Sequence, residues 1–279
     1  MDIRDIKENP PMIEDGTGLS KIFQMQRELL GHYMKIEGMP PYPIALNSKE
    51  DQLLIKDFIG RVIEEMAEGM ESFGEMIVIV LGNNDEEKML INHLQNFNEE
   101  MGDSLHFLVE LLIYANIDEN DIAKFYELKL KKENLTDIYG YGGEDTLKTC
   151  LAYARYTNLK ANFFDADYKL AKRIMSDEEI TEKEYLRAGS RISRNIYINM
   201  EILMWRVTYW LNISRNFLKN KPWKQTNMLT DTKRFHEALM SAWLAYFELM
   251  DYIGMTPWSL FTVYFKKNRI NLFRITSKY

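Results

Sequence analysis

Residues 49–74 read KEDQLLIKDFIGRVIEEMAEGMESFG. Leu53, Leu54, Phe58, Val62, Ile63 and Met66 recur there at three- and four-residue spacing, which puts their side chains along one side of an α-helix. The spacing predicts one long helix from about Lys49 to Gly74. The same periodicity extends outward from it. Upstream, Ile22, Met25, Leu29 and Leu30 form a helix face ending near Gly31, and prolines 40, 41 and 43 then break the chain. Downstream, LGNNDEE (81–87) reads as a turn and an acidic helix start, followed by a helix from roughly Glu87 to Asn116. Asp118-Glu-Asn-Asp is rich in capping residues and opens a further helix to about Asn134. After YGYGG (139–143), helical periodicity resumes over Asp145–Ile174 and about Ile180–Asn220. Lys221-Pro-Trp-Lys interrupts it, and two last helices are expected over Asp231–Ile253 and Pro257–Leu272. No alternating run is long enough to demand a sheet, so the fold class expected is all-α, a helical bundle.

Composition bounds what such a bundle does. The chain has 279 residues and a formal net charge of −7, so no global basic field argues for nucleic-acid binding. Cys150 is the only cysteine, which excludes an intrachain disulfide and a cysteine-rich metal site. Apolar residues make up 46% and charged residues 28%, a globular balance. The N-terminal MDIRDIKENPP has no signal-peptide core, and apolar stretches such as Met76–Gly82 are far too short to span a membrane. A cytoplasmic protein without a membrane partner is expected. YGYGG divides the chain into an N-terminal half (1–143) and a C-terminal half (144–279), expected to form one integrated domain. At a shift of 138 residues, Tyr114, Tyr126, Lys129 and Lys131 fall on Tyr252, Tyr264, Lys267 and Arg269. This is a weak internal repeat of a helix, a polar turn and a second helix ending in basic residues.

Two acidic clusters carry candidate chemistry. Glu65 and Glu68 lie in the long helix; Glu100 and Asp103 open the segment that continues SLHFLVELLIY. Each pair has i, i+3 spacing, so both carboxylates share a helix face, and two such helices packed together converge four carboxylates. Such a cluster repels itself unless cations sit in it, and hard oxygen ligands favour Mg²⁺ or Mn²⁺. Acidic pairs at this spacing are also commonplace on solvated helices. What separates these is their position beside the apolar stripes Val62-Ile63 and Leu105, Phe107, Leu108 and Leu111. His106, one turn beyond Asp103, suits either a ligand contact or a core hydrogen bond. Gln24 and Gln26 carry amides able to read a base edge, although most helix glutamines face solvent. Near the C-terminus, Lys267, Asn268, Asn271 and Arg274 can share one helical side and suit phosphate oxygens. Cations complementing a helix C-terminus explain the charges but not the asparagines.

Taken together, these residues make the chain similar to the all-α nucleoside triphosphate pyrophosphohydrolases, a MazG-like superfamily. Within it the chain most resembles the dimeric dUTPases and phage dCTP/dUTP pyrophosphatases. The matching motifs are Met25-Gln26-Arg27, Glu65-x-x-Glu68, Glu100-x-x-Asp103 running into His106-Phe107, Pro222-Trp223-Lys224, and Lys267-Asn268-x-x-Asn271-x-x-Arg274 with Tyr279 nearby. The resemblance implies Mg²⁺-dependent hydrolysis of dUTP or dCTP to the monophosphate and pyrophosphate by a homodimer. Glu65, Glu68, Glu100 and Asp103 would then be metal ligands and catalytic, with Glu64 or Glu99 a nearby base. Lys224, Lys267 and Arg274 would grip phosphates, and Gln26, His106, Trp223 and Asn271 would contact base or sugar. Asn268 and Tyr279 complete the implied substrate-binding set. The departures are equally specific. At the 138-residue shift Glu100, Asp103 and His106 fall on Ala238, Ser241 and Leu244, while the KNxxNxxR element sits only in the second half. A duplicated chain with one composite site is expected. Two other classes stay open: a di-metal carboxylate oxidoreductase, which usually needs Glu-x-x-His, and a non-catalytic helical interaction protein.

Overall fold

Leu19, Ile22, Phe23, Leu29 and Leu30 are all buried on the first helix, which shows how the three- and four-residue spacing becomes packing. A computed structural model describes residues 10–11, 17–81, 87–135, 146–161, 182–221, 223, 225–226 and 228–277. Among them are eight helices and no strand: α1 Gly18–Ile36, α2 Lys49–Leu81, α3 Glu87–Tyr114, α4 Glu119–Lys132, α5 Thr146–Lys160, α6 Glu182–Phe217, α7 Thr232–Tyr252 and α8 Pro257–Ser277. The chain is all-α, as its periodicity predicts. Three ends differ from the sequence reading: α1 continues past Gly31, α2 past Gly74, and α8 past Leu272. A single glycine costs a helix only about 1 kcal/mol, which tertiary packing overrides. The YGYGG boundary, and with it the junction between residues 143 and 144, lies outside the described residues, as does the expected helix beyond 161.

Helices α2 and α3 form the most extensive antiparallel pair, and α6 and α7 form a second. The two pairs meet through α2 and α6, while α1 packs on α8 and α3, and α5 on α7 and α4. One contiguous apolar core draws Ile22, Phe58 and Leu108 from before the boundary and Val207, Trp243 and Phe261 from after it. No helix among the described residues is long and apolar enough to cross a membrane.

The repeat is visible in the hydrogen bonds. Each hairpin turn closes with the same pattern: Ile117 N–H donates to the Leu112 carbonyl at 2.9 Å, and Met255 N–H to the Met250 carbonyl at 2.9 Å. Asn116 and Gly254 occupy the same left-handed position, with φ of 62° and 78°. Reciprocal caps follow. Asp118 and Asp121 satisfy each other's backbone N–H at 2.9 and 3.2 Å, as Thr256 and Ser259 do at 3.1 and 2.8 Å. Helices α2 and α6 correspond at a shift of 145 residues, where buried Ile55, Phe58, Val62 and Met66 fall on buried Met200, Leu203, Val207 and Leu211. Glu65 then corresponds to Trp210, and among the described residues the carboxylate group occurs once.

Candidate functional site

Two glycines let the acidic helices approach. A Cβ on Gly69 would meet the movable end of the Met101 side chain and lie 3.4 Å from Glu100 Cβ, so α2 and α3 are in close contact there. A Cβ on Gly102 would stand 2.7 Å from Val263 Cγ1, so α3 also presses closely on α8. With both contacts made, one carboxylate oxygen from each of Glu65, Glu100 and Asp103 lies within 4.8 Å of the others. Glu68 is exposed and stands outside this group, close enough for its charge to act on Glu65 and Glu100.

The electrostatics are those of a crowded, half-dry acid cluster. Burial pushes the half-buried Glu65 up to about 8, helped by the charge of Asp103 and by a hydrogen bond to Glu100. Burial likewise raises Glu100, which accepts the proton its neighbour holds. Asp103 is pushed up to about 6, because burial and the neighbouring glutamates outweigh an adjacent cation. That cation is Lys267, which is 5% exposed. Its ammonium pairs with Asp103 and with Glu99, the latter at 2.9 Å. Burial lowers the pKa of Lys267, but these carboxylates outweigh it and the net shift is upward. Lys267 therefore neutralises acids and is not a free phosphate clamp. Glu99 is occupied by the same pair, and exposed Glu64 lines a different depression. The donor set is all oxygen, and its mutual repulsion is what a hard divalent cation relieves.

Beside the acids opens a cavity of about 330 Å³. Glu65, Asp103 and Lys267 stand at one part of its wall, and Asn271 and Arg274 follow along α8. Arg61 also faces it, lying over the Phe58 and Phe107 rings at 5.9 and 5.5 Å while pairing with Asp57 at 3.0 Å. The buried side of the cavity is a polar knot. His106 stacks on Tyr264 with ring centroids 4.0 Å apart and planes 4° from parallel. Its Nδ1 lies 2.9 Å from Gln26 Oε1 and its Nε2 3.1 Å from the Tyr264 carbonyl. The Tyr264 hydroxyl donates to the same Gln26 oxygen at 2.6 Å. Burial pushes His106 down to about 3, so the ring is neutral and only one of its two nitrogens carries a proton to donate. Gln26, 1% exposed, is thus held by its neighbours and is not a freely turning amide.

The remaining expected residues divide. Asn268 is buried and turns away from the cavity, donating to the Met25 carbonyl at 3.3 Å, so it ties α8 to α1. The expected shared side of Lys267, Asn268, Asn271 and Arg274 is therefore corrected: adjacent helix residues lie about 100° apart, and Asn268 falls on the α1 side. Trp223 is 77% exposed and borders the neighbouring depression with Lys56, Arg215 and Lys221. Gln24 is exposed and bonds to Glu28 at 2.9 Å. Lys224 and Tyr279 lie outside the described residues. Sequence reasoning missed Glu110, which faces the cavity from α3. The signal was available, since Glu110 lies two helical turns past Asp103 on the same side. Neither a protein-family description, a characterised protein nor a solved structure matches this chain, so the reading of the site rests on its own residues.

Proposed function

We propose that the chain is a divalent-cation-dependent pyrophosphohydrolase that converts a pyrimidine deoxynucleoside triphosphate, dUTP or dCTP, to its monophosphate and pyrophosphate. The observation that carries this reading is the convergence of Glu65, Glu100 and Asp103, two of which, Glu65 and Asp103, line a cavity that also holds cationic and amide side chains. A Mg²⁺ or Mn²⁺ ion held by these three carboxylates supplies charge neutralisation for a triphosphate and a more acidic water. Glu68 adds negative charge beside the group. Lys267 keeps Asp103 ionised and fixes its orientation from α8. Asn271, Arg274 and Arg61 donate to phosphate oxygens, a task that suits amide and guanidinium groups. The Glu65–Glu100 pair shares a proton before it binds cations and gives it up on doing so.

The site draws its acids from before residue 143 and Lys267, Asn271 and Arg274 from after it, which supports one composite site per chain. A homodimer has a candidate face in Ile198, Ile202, Trp205 and Tyr209, exposed at helical spacing along α6. The deciding experiment is pyrophosphate release from dUTP, dCTP, dTTP, dATP, dGTP and UTP with Mg²⁺. Selective pyrimidine turnover, lost in Glu65→Gln and Asp103→Asn, supports the proposal. No turnover by a folded protein refutes it.

A further inference from the structure

Among the carboxyl groups that line the cavity, Glu110 alone is buried. It is 6% exposed, and its one hydrogen-bond partner among the described residues is the Gln26 amide at a long 3.5 Å. Gln26 itself is committed, its oxygen accepting from Tyr264 and facing His106. The internal repeat provides a control. At the 138-residue shift Glu110 corresponds to Glu248, which is also buried but is closed off by Arg206 at 2.7 Å. Arg206 corresponds in turn to Arg61, at the 145-residue shift that relates α2 to α6. Arg61 does not close on Glu110; it pairs with Asp57 and lies over Phe58 and Phe107. The same position is therefore neutralised in one half and left open to a cavity in the other. A buried carboxyl with a single long hydrogen bond has lost more to desolvation than it regains, and a ligand that supplies further partners offsets that cost.

We propose that Glu110 reads the nucleobase, its carboxyl O–H and C=O pairing side by side with the N3 and position-4 edge of a pyrimidine. This rests on the nucleotide reading of the site. With uracil, the acid O–H donates to O4 and its C=O accepts from N3–H. With cytosine, the O–H donates to N3 and the C=O accepts from the 4-amino group. One carboxyl thus serves both bases by exchanging the roles of its two oxygens. Burial pushes Glu110 up to about 8, which leaves it in the protonated form at neutral pH. Phe58, Phe107 and Leu29 line the same cavity and offer apolar contact to a ring.

The test measures dUMP and dCMP binding calorimetrically without metal, beside turnover of dUTP and dCTP with Mg²⁺. Glu110→Leu and Glu110→Gln are compared with wild type, and thermal melting checks each fold. Glu110→Leu is expected to weaken binding of both monophosphates at least tenfold and to raise KM similarly. Its stabilisation by Mn²⁺ should remain, because Glu110 stands outside the carboxylate group. Glu110→Gln also carries a donor beside an acceptor and is expected to restore binding of both. Unchanged monophosphate binding and KM in a folded Glu110→Leu overturn the proposal while leaving the hydrolase reading standing. Monophosphate binding that depends on Glu110, with no turnover by wild type, sinks the hydrolase reading and keeps base recognition. Absence of monophosphate binding to wild type overturns the proposal outright.

Discussion

In metal-free buffer Glu65→Gln should make the protein more stable at alkaline pH, whereas with Mn²⁺ it should make it less stable than wild type. Glu65 sits at about 8, against an ordinary value of 4.5. The folded state therefore holds this proton more tightly, and between those two values unfolding releases it. Stability is complete below about 4.5, declines as pH rises through the interval, and levels off above 8. At about 1.36 kcal/mol per pH unit the ceiling is about 5 kcal/mol. Glu65 is only half-buried, so solvent screening reduces this to about 2 kcal/mol. Glutamine keeps the shape and cannot ionise. Wild type and variant should melt together near pH 5, with the variant about 4–8 °C higher at pH 8.5 in EDTA. A cation present at 100 times its dissociation constant adds about 2.7 kcal/mol to a protein that binds it folded. With Mn²⁺ at pH 8.5 the order should therefore invert. Thermal melts at both pH values, with EDTA or Mn²⁺, check this. A Glu65→Gln variant less stable than wild type in EDTA at pH 8.5 would refute the reasoning, because Glu65 would then be a satisfied structural acid.

Gly102→Ala puts a methyl group 2.7 Å from Val263 Cγ1; overpacking should cost about 1–3 kcal/mol in urea unfolding and weaken Mn²⁺ stabilisation by shifting α3 against α8. Arg206→Ala leaves buried Glu248 unpaired and should cost about 3–5 kcal/mol at pH 8 and less at pH 5, with any nucleotide turnover unchanged once the protein is folded. Trp205→Glu, on an exposed apolar row, should leave the melting temperature of a monomer unaltered and dissociate a dimer; light scattering during gel filtration distinguishes these outcomes.

The acidic pairs show what a sequence can reveal about a site. An i, i+3 interval fixes two carboxylates on one helix face regardless of the rest of the chain, and an adjoining apolar stripe turns that face toward a neighbour. Those grounds single out Glu65, Glu68, Glu100 and Asp103, of which Glu65, Glu100 and Asp103 converge. Glu68 shares the interval and still falls outside the group, because the rotation of α2 against α3 decides which carboxylate points inward. Lys267 shows the opposite limit. Its charge suggested a phosphate contact, but burial beside Asp103 and Glu99 gives it to the acids instead. Asn268 belongs to the same short motif, yet one residue of helical advance carries it to the other side of α8.

The order of helices and their apolar faces follow from local periodicity, because side-chain spacing along a helix depends on only a few neighbouring residues. Capping at Asp118 and the equivalent turns at Asn116 and Gly254 are local for the same reason. Relations between distant segments are not encoded by spacing. Gln26, His106 and Tyr264 are separated by 80 and 158 residues in sequence and meet in one hydrogen-bonded knot. Glu110 remains open while Glu248 is closed because Arg61 and Arg206 turn differently within corresponding helices. The tertiary packing alone decides that difference, since it depends on which side chains desolvate one another.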